Sequence, residues 1–138
     1  WEVREGHAME TALPGLINLD ISLPVARLDD FAQACRAGLR ARFPDAHVSF
    51  YGHVGDSNLH VAVALADNAE DGGHEVDRIA YDLVRGFGGS ISAEHGIGTL
   101  KRDWLGHSRS PVELAVMRQI KAALDPKGIL NPGKLLPA

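Results

Sequence analysis

The chain has 138 residues, 45% of them hydrophobic, a formal net charge of -4 and one cysteine. That is one ordinary domain with enough apolar material for a core that needs no disulfide or metal staple. The acidic balance and the lack of a long basic run exclude a nucleic-acid footprint, and no apolar run reaches the ~20 residues that span a bilayer. No secretory signal opens the chain, so a soluble or peripheral protein is expected. Trp1 stands where an initiator Met would, which suggests a fragment.

Residues 1–11 are helix-compatible without a clear stripe. Leu13 to Leu23, bounded by Pro14, Gly15 and Pro24, alternates loosely through Ile17, Leu19 and Ile21 and reads as a strand. From Val25, the residues Leu28, Phe31, Ala32, Cys35, Leu39 and Phe43 recur at helical spacing for about five turns. Cys35 falls in that stripe and reads as a buried thiol.

Val48, Phe50 and Val54 alternate with His47, Ser49, Tyr51 and His53. Leu59, Val61, Val63 and Leu65 then take one face of a second arm, with Asn58, His60, Ala62 and Ala64 on the other. The two arms predict a hairpin. A tight turn centred on Asp56 and Ser57 sets residue 53 opposite 60, with Cβ atoms about 5 Å apart.

A second helix is marked by Val76, Ile79, Ala80, Leu83, Val84 and Phe87 and ended by Gly88 and Gly89, and Ser90 to Ser92 is a short strand. The order β-α-β-β-α-β predicts an α+β, ferredoxin-like (split βαβ) fold over 1–138: four antiparallel strands with both helices on one face. Ala93 to Arg109 is irregular. A last helix starts at Ser110 and Pro111 and runs to about Leu124, followed by a proline-rich extended tail.

His53 and His60 leave the helix-covered face, and Glu94 follows the fourth strand. Two imidazoles and a carboxylate with an open position suit catalytic zinc, and also Mn or Fe. A plain pair of hydrogen-bonded histidines is the competing reading. Ala62 and Ala64 leave room beside them. His95 carries an imidazole, which suits a general base, or equally reads as a surface histidine. Gly96 and Gly98 permit close backbone approach to a flat ligand. Arg4 can pair with a carboxylate, Lys101, Arg102 and Lys134 can supply positive field, and Lys101 and Arg102 read as a solvated face. Asp56 and Asn58 suit a brace for the turn. From these residues alone, a metal-dependent hydrolase or a non-catalytic ferredoxin-like ligand-binding module also remains open.

Three motifs in order, YGHVGDSNLH, SAEHGIGTLKRDWL and LDPKGILNPGKLLP, resemble the C-terminal domain of FAD-linked oxidases. These are vanillyl-alcohol-oxidase-type flavoproteins, among them D-lactate dehydrogenases, the glycolate oxidase D subunit and D-2-hydroxyglutarate dehydrogenase. The resemblance implies a substrate and cap domain whose flavin-binding portion lies upstream, FAD as cofactor, and a divalent metal, usually zinc, on His53, His60 and Glu94. It implies His95 as the base that takes the hydroxyl proton of a small 2-hydroxy acid, and Arg4 on the substrate carboxylate. Asn58, Gly96, Asn131 and Lys134 would lie toward the cofactor. The implied electron acceptor is an electron-transfer flavoprotein, a quinone or a cytochrome, in a cytoplasmic protein or one peripheral to the inner membrane, and a homo-oligomer is compatible. Hydroxyglutarate-type members tend to carry a lysine before the strand aspartate, where Asn18 and Leu19 precede Asp20, and a polar residue at the place of Ala62. Both departures weaken the case for a second substrate carboxylate.

Overall fold

In the computed structural model, residues 15–65 and 72–136 are described. The helix expected within residues 1–11, and Arg4 with it, lies outside them.

The expected strand is shorter than its apolar pattern: β1 spans Ile17–Ser22. Pro24 then fixes a turn, and one 3-10 turn at Val25–Arg27 leads into α1, Leu28–Arg42. Leu28, Phe31, Cys35 and Leu39 form the buried stripe of α1, with Asp29 and Asp30 in its first turn and Arg40 and Arg42 in its last, each matching the sign of the helix dipole. Cys35 is fully buried, and burial pushes its thiol up to about 12, so it is a core residue and no nucleophile.

β2 (His47–Tyr51) and β3 (Asn58–Ala64) make the hairpin, and α2 covers Gly72–Gly86. β3 is central in a three-stranded antiparallel sheet of order β1-β3-β2. Leu19 and Ile21 of β1 and Leu59, Val61 and Val63 of β3 face the helices, where they join Phe31, Leu39, Val76, Ala80 and Val84 in one core. The helices meet closely: a Cβ at Gly38 would lie 3.2 Å from Ile79, and Phe31 packs edge-on against Phe87 at 5.7 Å. The α+β architecture with both helices on one face is as the sequence predicts.

Two details differ. The hairpin register sets Tyr51, not His53, opposite His60. Gly52, at φ 143°, brings the chain so near β3 that a Cβ there would sit 2.6 Å from the Asn58 carbonyl oxygen. A 3-10 turn at Val54–Asp56 and a left-handed Ser57 then close a six-residue loop in place of a two-residue turn.

The fourth strand is also reduced, to the single bridge Ser22↔Ser90. Its next ladder pair would be Asp20 with Ser92. Instead the amides of Ala93, Glu94 and His95 turn toward the Asp20 carboxylate, and the Lys101 ammonium donates to the Asp20 carbonyl at 3.0 Å, where a strand amide would have stood.

After a 3-10 helix at Arg102–His107, α3 runs Pro111–Leu124 with the expected capping box of Ser110 and Glu113. None of its residues is buried. The tail is held by Leu135 N donating to Gly98 O and by Arg102 donating to Gly133 O, so Arg102 is engaged with the tail and is not part of a free solvated face. Among the described residues no helix is long and apolar enough to cross a membrane.

Candidate active site

The open face of the sheet is polar because alternate strand residues must point there. β1 contributes Asn18 and Asp20, β3 contributes Asn58, His60 and Ala62, and β2 contributes Ser49 and Tyr51. The rings of Tyr51 and His60 lie 5.1 Å apart at 31°, and those of His60 and His95 lie 5.5 Å apart at 30°, a short row of stacked rings. Asn18 Nδ2 donates to the Tyr51 hydroxyl at 3.1 Å across β3 at the level of Ala62. Ala62 is buried, so it does not supply the open room its small size suggested.

His53 stands outside the strands, at the head of the hairpin loop, and its Nδ1 lies 3.4 Å from Glu94 Oε1. Both side chains are exposed. On the inner side, donor atoms of Asp20, His60 and His95 fall within 4.8 Å of one another. The structure therefore brings His53 to Glu94, and His60 to His95, around one end of the sheet. Burial lowers the pKa of His60, opposed by the Asp20 carboxylate and assisted by His95. A neutral imidazole keeps a lone pair for a metal, and the buried Nδ1 of His60 has no hydrogen-bond partner among the described residues. Three imidazoles and one exposed carboxylate in this arrangement are a donor set that fits a borderline divalent cation such as zinc.

Asp20 was not singled out by sequence. Its carboxylate is fully buried and accepts from the amides of Ala93 (3.0 Å), Glu94 (3.0 Å) and His95 (2.8 Å) and from Ser92 Oγ (3.1 Å). Burial resists its ionisation, but the His95 and Glu94 amides and the nearby Lys101 ammonium hold its pKa below the ordinary value. Lys101, read as solvated in the sequence, is mostly buried, 3.7 Å from Asp20 Oδ2. The one sequence signal for Asp20 is an acidic residue in mid-strand, where carboxylates are rare.

Gly96 (φ 73°) and Gly98 (φ 55°) occupy left-handed backbone with open space at their Cβ positions. Asn58 does not brace the hairpin turn through its side chain: both its amide atoms are buried without a partner among the described residues. Asn131, at φ 47°, and Lys134 line a cavity of about 480 Å3 with Lys121, Leu130, Leu135 and Leu136. Lys121 itself is engaged by Asp125 Oδ2 and Leu130 O.

The fold and site define an α+β domain in which His60, on the sheet face away from the helices, meets His95 from the segment after the Ser22–Ser90 bridge, with His53 and Glu94 paired nearby. Residues 1–135 match the family model described as FAD linked oxidases, C-terminal domain, and the chain belongs to that family. It is 44% identical over 139 residues to the mitochondrial D-2-hydroxyglutarate dehydrogenase of Bos taurus, covering 99% of this chain and 25% of that protein. Against the D-2-hydroxyglutarate dehydrogenase of Stutzerimonas stutzeri (strain A1501) it is 39% identical over 124 residues, 86% of this chain and 27% of the relative. The corresponding protein of Xanthomonas citri pv. viticola is 38% identical over 140 residues, 98% and 30% respectively. The chain thus spans between a quarter and a third of the length of these relatives.

Proposed function

We propose that this chain is the substrate- and metal-binding portion of an FAD-dependent dehydrogenase that oxidises a D-2-hydroxy acid to the 2-oxo acid. The observation that carries the reading is the grouping of His53, His60, Glu94 and His95 at one end of an open sheet face, in a chain of the FAD-linked oxidase family. D-2-hydroxyglutarate, from the names of the relatives, heads the substrates to test, with lactate and glycolate beside it.

His53, His60 and Glu94 are the residues that would hold the metal. When bound, the metal supplies Lewis acidity toward the substrate hydroxyl and FAD supplies the two-electron acceptor. His95 takes the α-hydroxyl proton on its imidazole. Arg4 pairs with the substrate carboxylate and so fixes the orientation of C2. Tyr51, stacked on His60 and tied to Asn18, keeps the ring of His60 in place. Asn58, Gly96, Asn131 and Lys134 would lie toward the cofactor, which a flavin-binding portion outside this chain would chiefly hold. An electron-transfer flavoprotein, a quinone or a cytochrome would serve as the electron acceptor.

The test is the visible spectrum and metal content of the full-length protein, then anaerobic titration with D- and L-2-hydroxy acids. Bound flavin that bleaches with a D-2-hydroxy acid is the expected result, and His95→Ala should abolish bleaching while FAD stays bound. A colourless protein, or hydrolysis of esters or amides with metal alone, would reject the reading.

A further inference from the structure

We infer that Asp20 is the positioning residue of this site: its buried carboxylate is the template on which the Ser92–His95 segment is folded, and it sets Glu94 and His95 in front of His60. The inference rests on the reading of Glu94 and His95 as site groups, but its geometry stands apart from which substrate is oxidised.

A carboxylate offers about four acceptor positions over its two oxygens. Oδ2 of Asp20 takes three consecutive amides, Ala93, Glu94 and His95, together with Ser92 Oγ, and Lys101 Nζ lies 3.7 Å away. That oxygen is saturated and has no lone pair left for a cation. Although Asp20 lies within metal-ligand distance of His60 and His95, it acts through them. Among the described residues Oδ1 takes only the shared Glu94 amide at 3.3 Å, and it lies 4.0 Å from Nδ1 of His60, which has no partner among them. One carboxylate therefore grips the backbone that carries Glu94 and His95, and its second oxygen stands beside the ring of His60.

Elementary sterics explain why the grip is needed. The segment abandons a β-ladder after Ser90 and enters left-handed backbone at Gly96, so strand pairing cannot hold it. Three amides ending on a buried charge replace that pairing with charge-assisted bonds, roughly twice as strong as neutral ones. Lys101 adds to the arrangement by donating to the Asp20 carbonyl oxygen at 3.0 Å, with its ammonium 3.7 Å from Oδ2.

The experiment is Asp20→Asn in the full-length flavoprotein, with Asp20→Glu as the second variant. Asn keeps the shape and can leave its amide oxygen facing the three backbone amides, but it removes the charge that strengthens those bonds and puts an NH2 donor at the Oδ1 position, beside the Glu94 amide. We expect hydrogen exchange of the 92–98 backbone to rise at least tenfold. The rate constant for flavin reduction, per bound FAD, should fall about 100-fold, as a misplacement near 1 Å does, with substrate Kd within about threefold. Asp20→Glu keeps the charge one methylene too far out and should recover part of both effects. Unchanged exchange in 92–98, or a remaining folded fraction that reduces its flavin at the parental rate, would overturn the inference and leave Asp20 a stability residue. Loss of folded Asp20→Asn protein transfers the same two readings to Asp20→Glu, where parental values would overturn it equally. The exchange measurement needs no substrate, so it decides on Asp20 even where no 2-hydroxy acid bleaches the parent protein.

Discussion

Asp77, on α2, borders a cavity of about 370 Å3 with His74, Leu100, Asp103, Trp104 and His107. Burial raises its pKa to about 6, against the pull of His74 and Lys101. A carboxyl whose pKa is raised on folding contributes its full stability below about pH 4, where both states are protonated, and loses it as pH rises through about 6. Asp77→Asn should therefore match the parent protein near pH 4 and exceed it at pH 7 by about 1 kcal/mol, a figure reduced for partial exposure, in paired urea melts. Residue type made His53, His60, Glu94 and His95 legible in the sequence, since imidazole and carboxylate announce their chemistry. Asp20 and Lys101 were not legible, because what each does depends on a partner more than 70 residues away.

The helices were legible because a 3.6-residue apolar period survives without knowledge of the partner surface. Their ends were legible where a side chain makes the cap. Ser110 accepts from the Glu113 amide, and Glu113 Oε2 accepts from the Ser110 amide at 2.7 Å. Ser110→Ala should cost about 1 kcal/mol, and because α3 buries none of its residues, faster exchange there, rather than a lower global midpoint, is the measurement to make. Strands fared less well. The faces of β3 followed from alternation, but the register with β2 depends on Gly52 and the left-handed Ser57, which alternation does not encode. Ser90 to Ser92 has strand composition, and the Asp20 carboxylate together with the Lys101 ammonium on the Asp20 carbonyl diverts it.

Across the whole molecule, the core lies between one sheet face and α1 and α2, while α3 carries Val112, Val116, Ile120 and Leu124 at four-residue intervals, all exposed. Ile129 and Leu130 add to the apolar surface that follows it. Replacing Val116 and Ile120 together by Lys removes no buried contact, so the melting temperature of the 138-residue chain should stay within about 2 °C. Paired thermal melts of the parent chain and the double variant are the measurement. A drop of many degrees would mean the stripe is part of this domain's own packing. The architecture was legible from the order of elements, whereas the packing around α3 was not, because an amphipathic pattern does not name its partner.

The amides of Ala93, Glu94 and His95 form a run of three consecutive N–H groups. Loops that bind anionic ligands commonly turn such a run of N–H groups outward, as a fixed positive surface. Here the run is turned inward and neutralised by the protein's own Asp20. A negatively charged ligand gains nothing from these three dipoles, so the sign and reach of what it recognises are set by side chains. Those can be exchanged one at a time, leaving the backbone that carries His95 as it was.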